Sequence, residues 1–216
     1  MAEIMASYVD KIMRKGNVKG DRDALEELVD HLATLFSFLE DKDLFLMVYR
    51  QQLARRLLQE AYEDFEMEKN LITRLKVTCG MQQMNQMQGM LQDYQAVKEE
   101  AKEFDAFVES SPNAELGHAN FDFSIQCLKT ANWPMYLDIK LQMPPQINDK
   151  FEQFNRFYTN KHKRRKISIQ FSLGESIVAM YVPQKPKPHE LKLSTLGMFI
   201  LLLFNESEAQ QNGLTV

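Results

Sequence analysis

The period of the apolar residues changes once along this chain, from 3.6 residues to 2, and that change divides what each half can fold into. From Ala2 to Lys15, Ile4, Met5, Tyr8, Val9, Ile12 and Met13 recur at helical spacing, and Gly16 and Gly20 end the pattern. Asp21 or Asp23 can cap a second helix carrying Leu25, Leu28, Val29, Leu32, Leu35, Phe36 and Leu39. A third, with Asp43 as its cap, places Phe45, Val48, Tyr49, Leu53 and Leu57 on one arc and Leu46, Met47, Ala54 and Leu58 on others. A helix apolar nearly all round belongs inside a bundle. Glu66 to Lys76 continues helically towards a terminus at Cys79-Gly80. Met81, Met84, Met87, Met90 and Leu91 then form a methionine-rich face, which inside a bundle reads as core filler before it reads as a binding groove. Lys98 to Val108 completes the helical half.

The turn-rich stretch Ser110 to Gly117 marks the expected domain boundary, giving a helical bundle over 1–115 and a second region over 116–216. Past it, Asp122 to Leu128 alternates with a period of 2. Ile147 to Tyr158 carries Phe151, Phe154, Phe157 and Tyr158 at helical spacing. Ile167 to Phe171 and Ser176 to Tyr181 are strand candidates, expected to pair as a hairpin around Gly174, and Leu191 and Leu193 suggest one more short strand before the apolar run Leu196 to Phe204. The expected fold class is α+β and mainly helical.

Charge divides with the period. Residues 1–115 hold 14 Lys and Arg against 22 Asp and Glu, while 116–216 hold 12 against 8. That polarity suits docking of surfaces better than wrapping of nucleic acid, which usually needs a strong overall basic excess. With only Cys79 and Cys127, no disulfide framework is implied, and a reducing compartment is expected. No signal peptide opens the chain, and Leu196 to Phe204 is too short to span a bilayer, so the expectation is a cytoplasmic and nuclear protein with no membrane partner.

Motifs for chemistry are missing. There is no His-Glu-x-x-His, Walker loop, Gly-x-Gly-x-x-Gly or Cys-x-x-Cys, and His31, His118, His162 and His189 lack ligand spacing. Neither a catalytic residue, a metal site nor a cofactor is expected. The sharpest local feature is the basic run Lys161, His162, Lys163, Arg164, Arg165 and Lys166. It can be a solvated helix-to-strand turn, or a patch for an acidic protein, a phosphate backbone or a nuclear import receptor.

Six separated segments carry a family resemblance: "FLEDKDLFLMVYRQQLARRLL" (38–58), "EKNLITRLKVTCG" (68–80), "MQGMLQD" (87–93), "FDFSIQCLKTANWP" (121–134), "FNRFYTNKHKRRKISI" (154–169) and "STLGMFILLLFNE" (194–206). In that order they closely resemble the cullin homology region, most of all that of cullins that scaffold Skp–cullin–F-box ubiquitin ligases. The resemblance implies a four-helix bundle, a small α/β region and the start of a winged-helix module. It also implies a non-catalytic scaffold of a multisubunit ubiquitin ligase whose partner is a RING-box protein, docked by strand addition. The strands it suggests for docking hold Phe123, Ile125 and Cys127, then Ile167, Ile169 and Phe171, then Ile177, Ala179 and Tyr181. For a full-length relative it implies the cullin-modifier machinery and the cullin exchange factor as further partners. A nucleic-acid-binding module using the basic run and a partial winged helix is the alternative, and nucleic acid is the disfavoured partner.

Two departures from the family pattern stand out. Lys163-Arg164 replaces a common Ser-Gly pair, and Leu91 replaces a usual Phe. Because the chain stops just after Leu196 to Phe204, a fragment with an added Met1 is expected, with self-association or dependence on a partner. Within the third helix, successive residues turn by about 100°. This sets Arg56 on the arc of Phe45, Tyr49 and Leu53, while Arg50 and Arg55 point elsewhere. Arg56 is therefore expected to be buried and bonded to a carboxylate or to helix-terminal carbonyls, with Arg56 and Trp133 in structural roles.

Overall fold

The structure, a computed structural model, describes residues 1–17, 22–110, 121–182 and 187–205. Gly20 and Asp21, the link from Ser111 to Gly117, His118 and Lys185 lie outside the described residues. Among those described, seven α-helices and one two-stranded antiparallel sheet make the chain α+β and mainly helical. No helix among them is long and apolar enough to cross a membrane.

The helices follow the 3.6-residue pattern and end where local chemistry ends them. In α1 (Ala2–Met13) the inward positions are Ala2, Ala6, Val9, Ile12 and Met13. After α2 (Arg22–Ser37), helix α3 (Lys42–Leu58) takes Asp41 rather than Asp43 as its cap residue. Asp43 sits in the first turn, where its charge faces the positive end of the helix dipole. Helix α4 (Phe65–Cys79) starts at Asp64, whose side chain accepts the Glu66 N–H at 2.9 Å. It ends at Gly80, with φ +83°, a left-handed conformation that glycine takes without a Cβ clash. Methionines 84, 87 and 90 and the Lys98–Val108 stretch belong to a single helix, α5 (Met81–Ser110), and all three methionine side chains are buried. Among the described residues, five helices precede residue 111.

The chain forms two compact units. The first comprises Met1–Glu103 and Ser124–Met135, the second Phe104–Phe123 and Tyr136–Val216. The division falls inside α5, upstream of the turn-rich link, because side chains rather than turns decide it. In the first unit one apolar core joins Val9, Phe36, Tyr49, Leu53, Met84 and Met90, and Trp133 packs into the same core. In the second, Phe104 and Phe107 of α5 meet Phe157 of α6 (Pro145–Lys161), and Phe104 also meets Phe154, with ring centroids 5.1–5.5 Å apart.

The expected hairpin around Gly174 does not form. Strand β1 (Glu175–Met180) pairs instead with β2 (His189–Ser194), and Phe171–Leu173 is a 3₁₀ turn. Register explains the choice. Val178 stands opposite Leu191 and Ser176 opposite Leu193, so the half-buried positions of both strands share one face. Helix α7 (Thr195–Leu203) follows directly; Thr195 donates its N–H to the Gly174 carbonyl at 2.9 Å, and Phe199 packs on Phe171 at 5.6 Å. A Cβ on Gly174 would overlap the Thr195 side chain, which accounts for the glycine there.

Candidate docking site

Of the three expected docking strands, one forms within the chain. Residues 122–128 and 165–170 belong to no helix, and to no ladder among the described residues. The alternation survives all the same: Phe123, Ile125 and Cys127 are half-buried while Ser124 and Gln126 are exposed, and Ile167 and Ile169 are half-buried while Ser168 is exposed. Among the described residues, β1 pairs with β2 and with neither of these segments. Sequence alternation reports the pleat but not the partner.

Ile167, Ile169 and Phe171 come together on one open groove of about 340 Å³. Its other walls are Ile139, Leu141 and Met143 from an extended segment, with Phe151 of α6. It thus lies between two stretches of non-helical, non-laddered backbone, and its lining is mostly apolar, with Asp138, Lys140 and Ser168 as the polar members. Ile177, Ala179 and Tyr181 do not line it. All three are exposed along one side of β1 and the residue that follows it, Ile177 at 72% and Tyr181 at 79%. Ile125 and Cys127 belong to the first unit, Phe123 to the second.

The basic run follows α6 as a fixed turn. His162 donates its N–H to the Tyr158 carbonyl at 2.8 Å, Arg165 donates to the His162 carbonyl at 3.1 Å, and the His162 ring rests 4.7 Å from that of Tyr158. Lys161, Lys163, Arg164, Arg165 and Lys166 are exposed.

Arg56 is fully buried and held by two helices besides its own. Its Nε and Nη2 donate to the two oxygens of Glu68 at 2.6 and 2.9 Å, a bidentate pair, and Nη1 donates to Asp10 at 2.5 Å. Tyr49 lies beneath the guanidinium, 5.4 Å from ring centroid to Cζ, and its hydroxyl donates to Glu68 at 3.2 Å. Burial acts to lower the Arg56 pKa, but the Glu68 carboxylate outweighs it and the net direction is upward, so the cation is secure. Burial, reinforced by Glu68, raises the Tyr49 pKa well above its ordinary value. Arg55 is exposed.

Arg50 does a different job, one its position in sequence does not suggest. Its Nη2 donates to the carbonyls of Asn132 and Trp133 at 3.1 and 2.8 Å. The opposite polarity comes from Asp93 on α5, which is 3% exposed. Its Oδ2 accepts from the Lys129 N–H at 3.3 Å, Asn132 Nδ2 at 2.9 Å and Trp133 Nε1 at 3.2 Å, while Oδ1 faces Lys129 Nζ at 3.1 Å. Gln86 donates to the Ala131 carbonyl at 3.2 Å, and a Cβ on Gly89 would overlap the Asn132 amide. Gln86, Gly89 and Asp93 follow i, i+3, i+7 spacing, so they form one face of α5 shaped to receive the 129–133 turn. This face was readable as a small and polar stripe interrupting a methionine-rich helix.

Among the described residues, no group of three or more His, Cys, Asp or Glu side chains could hold a metal ion. The family models agree in order and extent: the cullin α-solenoid domain matches residues 1–101 and the cullin α+β domain residues 127–216. The chain belongs to the cullin family. It is 32% identical to Cullin-1 of Oryza sativa subsp. japonica over 206 residues, which is 94% of this chain and 27% of that protein. It is 29% identical to Cullin-4A of Mus musculus over 96% of this chain and 26% of the relative, and 32% identical to Cullin-3B of Arabidopsis thaliana over 95% and 27%. Three numbered kinds of cullin thus match about equally well. The chain spans about a quarter of the length of these curated relatives.

Proposed function

We propose that this chain is a non-catalytic scaffold segment of a cullin-RING ubiquitin ligase that docks a RING-box protein by strand addition and so helps to position it relative to bound substrate. The observation that carries the reading is the groove between residues 138–143 and 167–171, mostly apolar in its lining, with 138–143 and 167–170 outside any helix or ladder among the described residues. An added strand gains main-chain hydrogen bonds from such an edge, and alternate side chains set its register. The half-buried Ile167 and Ile169 give that register here.

The test is co-expression with a RING-box protein and capture of the complex, with Ile169→Pro as the variant. Residue 169 makes no ladder bond among the described residues, so proline there removes a donor from the docking edge without breaking a described ladder. Wild-type capture that is lost with Ile169→Pro, at unchanged helical content, supports the reading. A folded wild-type chain that captures nothing contradicts it. A nucleic-acid-binding role is favoured by one observation, the exposed basic run. It predicts binding to duplex DNA that weakens steeply with salt, whereas strand addition responds to salt far less.

A further inference from the structure

We propose that Ser168 is a phosphorylation site for an arginine-directed serine kinase, and that a phosphate there closes the groove to a docking strand. The second part rests on the strand-addition reading of the preceding section and names how that same site is controlled. Ser168 is exposed between the half-buried Ile167 and Ile169, in a stretch outside any helix or ladder among the described residues. A kinase cleft can therefore engage residues 164–169 without unpairing a described strand. Arg165 stands three positions before Ser168 and Arg164 four, both exposed, with Lys166 two before it. Kinases select serines by charge patterns of this kind, read by carboxylates of their own cleft.

The neighbouring serines are engaged elsewhere. Ser172 donates its hydroxyl to the Leu137 carbonyl at 3.5 Å and Ser176 to the Leu193 carbonyl at 3.4 Å, while the Ser194 oxygen accepts the Gly197 N–H at 3.2 Å. The Ser168 hydroxyl has no hydrogen-bond partner among the described residues. In the transfer, Ser168 Oγ bonds to the γ-phosphorus of ATP and the bond from that phosphorus to the β–γ bridging oxygen breaks. ADP leaves, and the hydroxyl proton passes to a carboxylate of the kinase. The product carries close to two negative charges. Ser168 lines the groove, whose charged members Asp138 and Lys140 offset each other, and no residue of the basic run is in that lining. A strand laid into this mostly apolar groove must strip water from the phosphate, which opposes docking.

The experiment treats the chain with ATP and the catalytic subunit of cyclic-AMP-dependent protein kinase, an arginine-directed enzyme. Ser168→Ala and the double variant Arg164→Ala with Arg165→Ala are treated alongside, and far-UV circular dichroism checks the fold of each. Phosphate is mapped by mass spectrometry, and capture of a RING-box protein is titrated before and after treatment. The expected result is phosphate at Ser168, labelling at least tenfold slower in the double arginine variant, and capture at least tenfold weaker after treatment. Treatment of Ser168→Ala should leave its capture as it was. A folded chain that takes no phosphate at Ser168, or takes it equally fast without the two arginines, overturns the proposed site. An unmodified chain that captures nothing contradicts the docking reading and the control built on it, whereas unmodified capture that phosphate at Ser168 leaves unchanged contradicts the control alone.

Discussion

In the first compact unit a buried cation is met by two carboxylates and an aromatic ring, and Met84, Met87 and Met90 of α5 disappear into one core. In the second, Ile177 and Tyr181 stand in solvent, α7 exposes Ile200 and Leu203, with Phe204 exposed just after it, and two segments outside any helix or ladder flank an open groove. Helices satisfy their own backbone groups, so a helical unit can close on itself once its apolar faces meet. Strands satisfy theirs only sideways, so a short two-stranded sheet leaves edges. The contrast is between a unit closed on its own core and a unit that leaves apolar side chains and a sheet edge exposed.

The largest effect expected from breaking this contrast is at Arg56. Arg56→Met should cost about 3–5 kcal/mol in urea unfolding, because it strands the Glu68 carboxylate in the core. The double variant Arg56→Met with Glu68→Leu should recover most of that loss. If the single variant unfolds at the wild-type midpoint, the buried network is not what secures the first unit.

A paired comparison sharpens the difference between the units. Met84→Ala, in the core at 0% exposure, should cost about 2–5 kcal/mol. Ile177→Ser, on the open face of β1, should change stability by no more than about 0.5 kcal/mol. Equal costs at the two sites would mean that the face of β1 is covered within the chain.

The smallest effect is on pH dependence. Tyr49 holds its proton more tightly folded than unfolded, chiefly through burial and then through Glu68. Its contribution is therefore fully present below about pH 10, the ordinary tyrosine value, and is lost as pH rises beyond it. Tyr94, raised by burial and by its bonds to Tyr62 and Glu60, adds to the same alkaline decline. Tyr49→Phe should make the fall in unfolding midpoint between pH 9 and 11 shallower without abolishing it, and an unchanged slope would discount Tyr49.

Much of the helical unit was legible because periodicity is local. The turn of about 100° per residue put Arg56 beside Tyr49 and Leu53, and the structure has all three fully buried. Its partners were not legible, since Asp10 and Glu68 lie on other helices and their carboxylates look no different in sequence from those on solvated faces. Strand pairing failed for the same reason: alternation marked 167–171 and 176–181 equally well, yet only cross-strand register decides that β1 takes β2. Lys163-Arg164 was visible as a departure from the family pattern, and in the structure it forms an exposed turn. The clamp at Asp93 was missed, because its parts, Arg50, Gly89, Asp93 and Asn132, lie in three segments whose meeting depends on the fold.

The most direct test of the account is amide hydrogen exchange on the chain alone and bound to a RING-box protein. Strand addition predicts that amides at 166–170 exchange rapidly in the free chain and become protected by at least tenfold in the complex, with those of α1 to α4 unchanged. Protection confined to helix surfaces, with 166–170 exchanging as fast bound as free, would contradict it.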